Sequence, residues 1–406
     1  MKDNRIFHYL MKYKRIFFLV ILFAFFPPLS ISLLSEQGGI FWKLVDYGVK
    51  AAQVLLATAG YVFWFSDRKR NISFWFVGFV VHLCLMAFSG IMNGNTSITT
   101  LGSLYANVGF CLLCAGMYTH DQKEFLWTGA VAFSVYTILG VISVYLFPLG
   151  FFHSKNTYDA IYGLGAKNNA FPFYFACFFF WNLILMDTDK TKWKWIPVLI
   201  IPTVVAGYIC QSTNTMICML LLLVLTLLVL GMERMFCKIN PVVVLVAFVA
   251  VIALVYTGLE SQLLASLLEK FNRTLTFSGR DTLWNQAGIY FNRKPFFGAG
   301  SELTFTLANM QTTTHAHSQW LDKLAKFGII PMVFLVNAVL YTFIRARKSP
   351  DRKKANFMCG MLLIYMLHMS FDTYNYNFFT MFIITINMIL DKELPETHSW
   401  LKSLKK

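Results

Sequence analysis

The sequence predicts an all-α, polytopic membrane helix bundle of about twelve spans, and three observations predict it. The 406-residue chain is 57% hydrophobic and only 14% charged, far less charge than a soluble protein of this size carries. Apolar runs near 20 residues recur along its whole length, each long enough to cross ~30 Å of hydrocarbon. The alternating pattern of a membrane β-barrel is absent.

Taken in order, the expected spans are 15–35, 44–65, 72–92, 99–119, 124–147, 169–186, 195–210, 214–231, 241–258, 316–344, 355–371 and 375–390. The first is too long for a signal peptide and lacks a small-residue cleavage site. It reads as a retained helix kinked at Pro27-Pro28. No soluble domain, linker or internal repeat interrupts the chain, so residues 1–406 read as a single integral membrane domain.

The net charge of +15 raises the possibility of a nucleic-acid partner, but the positives fall in short loops between spans. The clusters are Lys2/Arg5/Lys12/Lys14/Arg15, Arg68/Lys69/Arg70, Lys190/Lys192/Lys194, Arg234/Lys238 and Arg345/Arg347/Lys348/Arg352/Lys353/Lys354. Lys123 and the tail residues Lys392, Lys402, Lys405 and Lys406 join them. They occupy alternate loops, as the positive-inside rule expects. Both termini are therefore expected on the cytoplasmic side, with the long loop 259–315 outside. The eight cysteines lie in or beside apolar spans; Cys111 and Cys114 form a CxxC without a second pair, and read as packing residues. No metal site or cofactor is expected.

Three outside segments carry polar residues: 150–169, the turn 211–215 and the long loop. In that loop, 260–271 reads as a short amphipathic helix. Ser278 then opens a capping box with Asp281. Leu283, Ala287 and Tyr290/Phe291 share one face of the following helix, which Pro295 ends. Gly298-Ala299-Gly300 makes a tight return.

Arg280 falls in the first turn of that helix, where free N–H groups and a guanidinium together suit a phosphate. An interfacial arginine touching headgroups is the bland alternative. Arg273, Arg293 and Lys294 are weaker anion-binding candidates and suit headgroup anchoring. His317 stands at the mouth of a span whose first turns carry Asp322, Lys323 and Lys326. A neutral imidazole there can take a proton from a sugar hydroxyl. Asp322 would orient it only loosely, and His315 is the alternative base. Lys155 and Lys167 suit either phosphate binding or a solvated loop. Asp46 and Lys50 are spaced to neutralise each other. Asp372, Tyr374 and Tyr376 lie in an outside turn within reach of a sugar. His82 and His368 read as structural. Walker, Rossmann, HExxH and GxSxG signatures are all absent.

Gly279-Arg280-Asp281-Thr282-Leu283-Trp284, Lys294-Pro295-Phe296-Phe297-Gly298-Ala299-Gly300, and His317-Ser318 followed after nine residues by Gly328 form one ordered set. This set resembles the O-antigen polymerase/ligase superfamily, which shows Gly-Arg…Trp, a Pro…Gly-x-Gly turn and His-Asn/Ser/Gln-x9-Gly. One departure stands out. Many relatives carry an arginine in a Ser-x-Ser-Arg-like turn at the start of a central span. Here the turn is Gln211-Ser212-Thr213-Asn214-Thr215, which leaves Lys155, Lys167 or Arg273 to supply that charge.

The resemblance implies metal-independent, inverting glycosyl transfer from a glycan on undecaprenyl diphosphate, with Arg280 on the diphosphate and His317 on the acceptor hydroxyl. The leading expectation is a polymerase of repeat units for a capsule, exopolysaccharide or O-antigen, in a bacterial cytoplasmic membrane. A ligase moving finished glycan to lipid A core or protein is the alternative, and a lipid-linked glycan transporter stands third. A flippase and a chain-length regulator are the protein partners such a polymerase would keep.

Overall fold

Pro27-Pro28 break the first apolar run as expected. In the computed structural model, α1 (Lys14–Phe25) and α2 (Leu29–Glu36) meet at 49° across them. The structure describes residues 13–66, 73–94, 97–153, 160–257, 280–307, 312–373 and 375–393. Lys155, Arg273, Tyr374, the 260–271 segment, Ser278, the Arg68–Arg70 cluster and the C-terminal tail lie outside the described residues.

The remaining elements follow in chain order. They are α3 (Ile40–Ser66), α4 (Phe74–Met92), α5 (Ile98–His120), α6 (Gln122–Leu146), β1 (Phe152–His153), β2 (Ala160–Tyr162), β3 (Gly165–Ala166), α7 (Phe171–Thr188), α8 (Lys190–Trp193), α9 (Ile196–Ile209) and α10 (Thr213–Gly231). Next come α11 (Glu233–Lys238), α12 (Pro241–Thr257), α13 (Arg280–Arg293), β4 (Phe305–Thr306), β5 (Thr312–Thr313), α14 (Gln319–Phe327), α15 (Ile329–Lys348), α16 (Arg352–Phe371) and α17 (Tyr376–Glu393). The all-α class holds, with two small antiparallel ribbons: β1-β2-β3 and β4-β5.

By length and apolarity, seven described helices can cross a membrane, or eight if the bent α1–α2 pair is one span. The expected count of about twelve is therefore not established. α9 has 14 residues and α12 has 17, both short of ~20. α16 opens with three cations and α17 closes on Asp391-Lys392-Glu393. α7, α16 and α17 are buried on nearly all sides and form the centre, as helices apolar all round should. Around them α3 packs on α5, α6 on α7, α4 on α15 and α10 on α16.

The described cations of the basic clusters come together at one end. There Lys14 pairs with Asp121, Arg15 with Glu124, Lys354 with Asp187 (2.6 Å), Lys353 with Glu233 (2.9 Å) and Arg345 with Asp391 (3.1 Å). His317 and Asp372 lie at the opposite end, where α16 finishes and α17 begins.

One expected span is corrected. Residues 316–344 are not a continuous helix: the chain breaks at Gly328, with φ of 76°. The turn 294–300 fills the break. Ala299 and Gly300 donate to the Ala325 and Lys326 carbonyls at 2.8 and 2.9 Å, at the end of α14. Ile329 and Ile330, at the start of α15, donate to the Pro295 and Phe296 carbonyls at 2.7 and 3.2 Å. Ser89 of α4 adds hydrogen bonds to the Phe297 and Lys326 carbonyls. The contact is backbone on backbone. A Cβ on Gly298 would strike Lys326 and Phe327, and one on Gly328 would strike Phe296.

In the described part of the long loop the expected helix forms as α13. Leu283, Ala287 and Tyr290 of α13 pack with Phe305, Ala316 and Ala325 in a small core of their own, so α13 lies over α14. The Gln286 side chain donates to the Thr306 carbonyl (2.6 Å) and accepts from the Thr306 N–H (2.9 Å), extending the β4-β5 ribbon. Glu302 accepts from the Ser97 and Thr100 hydroxyls (2.9 and 2.6 Å) and fixes the loop to the start of α5.

Gly328→Ala should therefore lower stability by about 1–3 kcal/mol from the backbone conformation alone, before any clash is counted. Thermal unfolding in detergent should show the drop, with Gly102→Ala, which meets open space, as the reference near wild type.

Candidate active site

His317 is held in an unusual place. Its φ of 51° is in the left-handed region that non-glycine residues seldom occupy. Hydrogen bonds on both sides hold it there. The Ala316 N–H donates to Asp322 Oδ1 at 3.1 Å. Ser318 caps α14, its Oγ accepting from the Leu321 N–H at 3.4 Å and lying 2.9 Å from the Tyr256 hydroxyl. Tyr256 donates in turn to the Ser370 carbonyl at 2.9 Å. The ends of α12, α14 and α16 thus converge on one residue. Backbone strain of this kind clusters at functional sites.

The partner of His317 is Asp372, in the turn between α16 and α17. His317 Nδ1 lies 3.4 Å from Asp372 Oδ1. Asp372 is 6% exposed, so its charge must be met inside the protein. Asn168 Nδ2 donates to Oδ2 at 2.7 Å and the Thr373 N–H to Oδ1 at 2.9 Å. Asn168 Oδ1 accepts from the Ser212 hydroxyl at 2.6 Å, and Ser212 lies 2.7 Å from the Thr215 hydroxyl. One chain of hydrogen bonds thus runs from the polar turn 211–215 through the 150–169 segment to His317.

Burial alone would push the Asp372 carboxyl up. The hydrogen bond from His317 and the charge of Arg280 reverse this, and hold it well below the usual carboxylate range. An ionised carboxylate only accepts, so Nδ1 is the donor, and in the neutral ring Nε2 carries the lone pair. That is the tautomer a general base needs. A length of 3.4 Å is common before substrate tightens such contacts.

Arg280 is the first residue of α13, half-buried, and its charge reaches both Asp372 and His368. Trp284, one turn on, packs edge-on against Tyr256 at 5.0 Å. His315 lies beside His317, ring centroids 5.1 Å apart, with Nδ1 3.0 Å from the Thr314 hydroxyl. Burial first, then the neighbouring His317, lowers its pKa.

The structure sorts the expected site residues. It brings His317, Arg280 and His315 together, and sets Lys167 next to Asn168. It removes Asp322 as the ring's orienting partner: Asp322 pairs with Lys326 (3.1 Å) and holds the backbone before His317 instead. Arg293 and Lys294 lie at the far end of α13, roughly 20 Å along the helix from Arg280. There Lys294 donates to Asn93 (2.8 Å). Asp46 and Lys50 do neutralise each other at 2.7 Å. His82 is structural, bridging the Pro331 carbonyl (2.7 Å) and the Tyr376 hydroxyl (2.9 Å). Sequence reasoning placed Asp372 near a sugar but not behind His317, and missed Asn168. A polar Lys-Asn-Asn at the mouth of a span was its only signal.

Residues 197–336 match the family model of the O-antigen ligase domain, Wzy_C. This match supports the resemblance to the O-antigen polymerase/ligase superfamily. The segment runs from α9 into α15 and contains Ser212, Tyr256, Arg280, His315 and His317. The match indicates a membrane enzyme of glycosyltransferase type. Asn168 and Asp372, which complete the His317 site, lie on either side of the ligase-family segment. No curated protein matches the chain.

Ionised Asp372 contributes stability that is fully present above the ordinary carboxylate pKa of ~4 and is lost as pH falls toward the lower folded value. Asp372→Asn should therefore melt below wild type at neutral pH. The gap should narrow only below about pH 4, as denaturation scans across pH will show.

Proposed function

We propose that this protein joins glycans at the bundle end that carries His317, using a glycan on a lipid diphosphate as donor. The observation that carries the reading is the buried Asp372 behind His317, with Arg280 beside them. His317 Nε2 takes the proton of the acceptor hydroxyl as its oxygen attacks the anomeric carbon. The bond from that carbon to the diphosphate oxygen breaks, and the electron pair leaves with the lipid diphosphate. Attack opposite the leaving group inverts the centre. Arg280 meets the charge that grows on the diphosphate, an interaction worth most in a water-poor site. Asp372 stabilises the imidazolium that forms. The distribution of the basic clusters supports placing His317 on the outer face of a bacterial cytoplasmic membrane, both termini inside.

Repeat-unit polymerisation onto undecaprenyl diphosphate, for a capsule, exopolysaccharide or O-antigen, is the first reading. Ligation of finished glycan to another acceptor is the second, favoured by the description of the matched family as an O-antigen ligase.

His317→Ala at matched membrane expression should abolish the polymer ladder on glycan gels and leave single lipid-linked units. A ladder that persists on the carrier but never reaches its final acceptor would assign ligation instead. An unchanged profile would remove His317 from the chemistry. Arg280→Glu should also abolish product, and full activity in that variant would exclude a phosphate role for Arg280.

A further inference from the structure

The hydrogen-bond chain behind Asp372 passes through Asn168 and Ser212 to Thr215, and Thr215 lines a small cavity. Gly140 of α6, Leu164 between β2 and β3, Lys167, Tyr174 of α7 and Cys210 help to enclose it. The cavity gives the centre of a water-sized sphere about 10 Å³ of room. That is the lower edge of what one water needs, and too little for a phosphate or a sugar ring.

Several polar groups around the cavity are already satisfied. Ser143 Oγ donates to the Gly140 carbonyl at 2.7 Å and accepts from the Gly163 N–H at 3.1 Å. The Tyr162 hydroxyl donates to the Pro148 carbonyl at 3.0 Å. Cys210 Sγ lies 3.6 Å from the Gly207 carbonyl. Tyr174 differs. It is 1% exposed, and its hydroxyl has no hydrogen-bond partner among the described residues. A buried hydroxyl left unpaired costs stability. Gly140 keeps the room beside it, since a Cβ there would come within 3.0 Å of the Tyr174 oxygen and 2.5 Å of Leu164 Cδ1. A hydroxyl can give one hydrogen bond and accept two, so Thr215 keeps capacity beyond its bond with Ser212.

We propose that the cavity is a site for one water, which joins the Tyr174 hydroxyl to Thr215 and makes Tyr174 the far anchor of the chain that holds Asp372 behind His317. The site stands on the cavity and its polar lining; its catalytic consequence rests on the functional reading above. Asn168 lies just before α7, Tyr174 one turn into it, and Thr215 in the first turn of α10. A water between Tyr174 and Thr215 pins these two helix starts together, and with them the amide that donates to Asp372. Tyr174 acts through other groups and touches no reacting atom, so it is a positioning residue.

The sign of one substitution tests the water. If the hydroxyl is unpaired, Tyr174→Phe removes a costly buried group, and the protein melts at the wild-type temperature or above it. If a water pairs with it, the same change lowers the melting temperature. The drop is the expected result in nanodiscs. Thr215→Val should also lower it, and the double variant should lose less than the sum, because both changes act on one water. No drop, or strictly additive losses, overturns the site, as does an experimental density map in which the cavity is empty. For catalysis, Tyr174→Phe should lower kcat about 2- to 10-fold, the range of one neutral hydrogen bond, with KM for the donor retained. Thr215→Ser, which keeps the hydroxyl, should retain the wild-type kcat. Coupled melting with an unchanged kcat in Tyr174→Phe overturns the positioning role. Normal product from His317→Ala overturns the functional reading instead, and leaves the melting result standing.

Discussion

The interlock between the 294–300 turn and the break at Gly328 is the constraint on which the site depends. A helix end leaves unpaired carbonyls and a helix start leaves unpaired N–H groups. In an apolar setting each unpaired group costs several kcal/mol. Here one short turn satisfies both sets, the Ala325 and Lys326 carbonyls behind the break and the Ile329 and Ile330 N–H groups ahead of it. The glycines at 298 and 328 let the two backbones meet. Two motifs thirty residues apart are thus the two halves of one contact. With the break secured, α14 can be a short separate helix, and its N-terminus can present His317 and Ser318 at the mouth of the bundle.

The second constraint is a buried charge. Asp372 is stable where it lies only because Asn168, the Thr373 N–H and His317 donate to it and Arg280 stands near. Those donors come from loops far apart in the chain. The carboxylate therefore gathers the loop ends at the same time as it orders the imidazole. The ligase-family segment contains His317 and Arg280, and the rest of the chain contributes Asp372 and Asn168, which line up behind His317.

Features that depend on local pattern were legible in the sequence. The apolar runs placed most of the helices, Pro27-Pro28 the first bend, and Pro295 the end of α13. The stripe Leu283, Ala287 and Tyr290 gave the face that α13 buries. Features that depend on distant pairing were not legible. Nothing near His317 in sequence names Asp372, 55 positions on, and the nearer carboxylate, Asp322, looked better placed than it is. Its helix neighbour Lys326 and the Ala316 N–H occupy it instead. The break at Gly328 was hidden for a related reason. The apolar run of α15 starts directly after it, and only the left-handed backbone requirement distinguishes that glycine from one tolerated inside a helix.

A broken helix also explains how polar chemistry and an apolar bundle share the same few residues. Irregular backbone at membrane depth survives only where protein covers it or a cavity adjoins it. The turn 294–300 covers one side of the break, so the other side is free to carry side chains that water and substrate must reach. The charged residues of α14 divide along that line. Asp322 and Lys326 face the loop core, with Lys326 donating to the Thr314 carbonyl at 2.5 Å. Lys323 faces the bundle, its Nζ 3.9 Å from the centre of the Tyr376 ring, which His82 holds in place, and 3.8 Å from Met86 Sδ. The contact with Tyr376 ties α14 to the start of α17. Asp372 sits four residues before Tyr376, so the contact that seats α14 also sets the distance between His317 and its carboxylate.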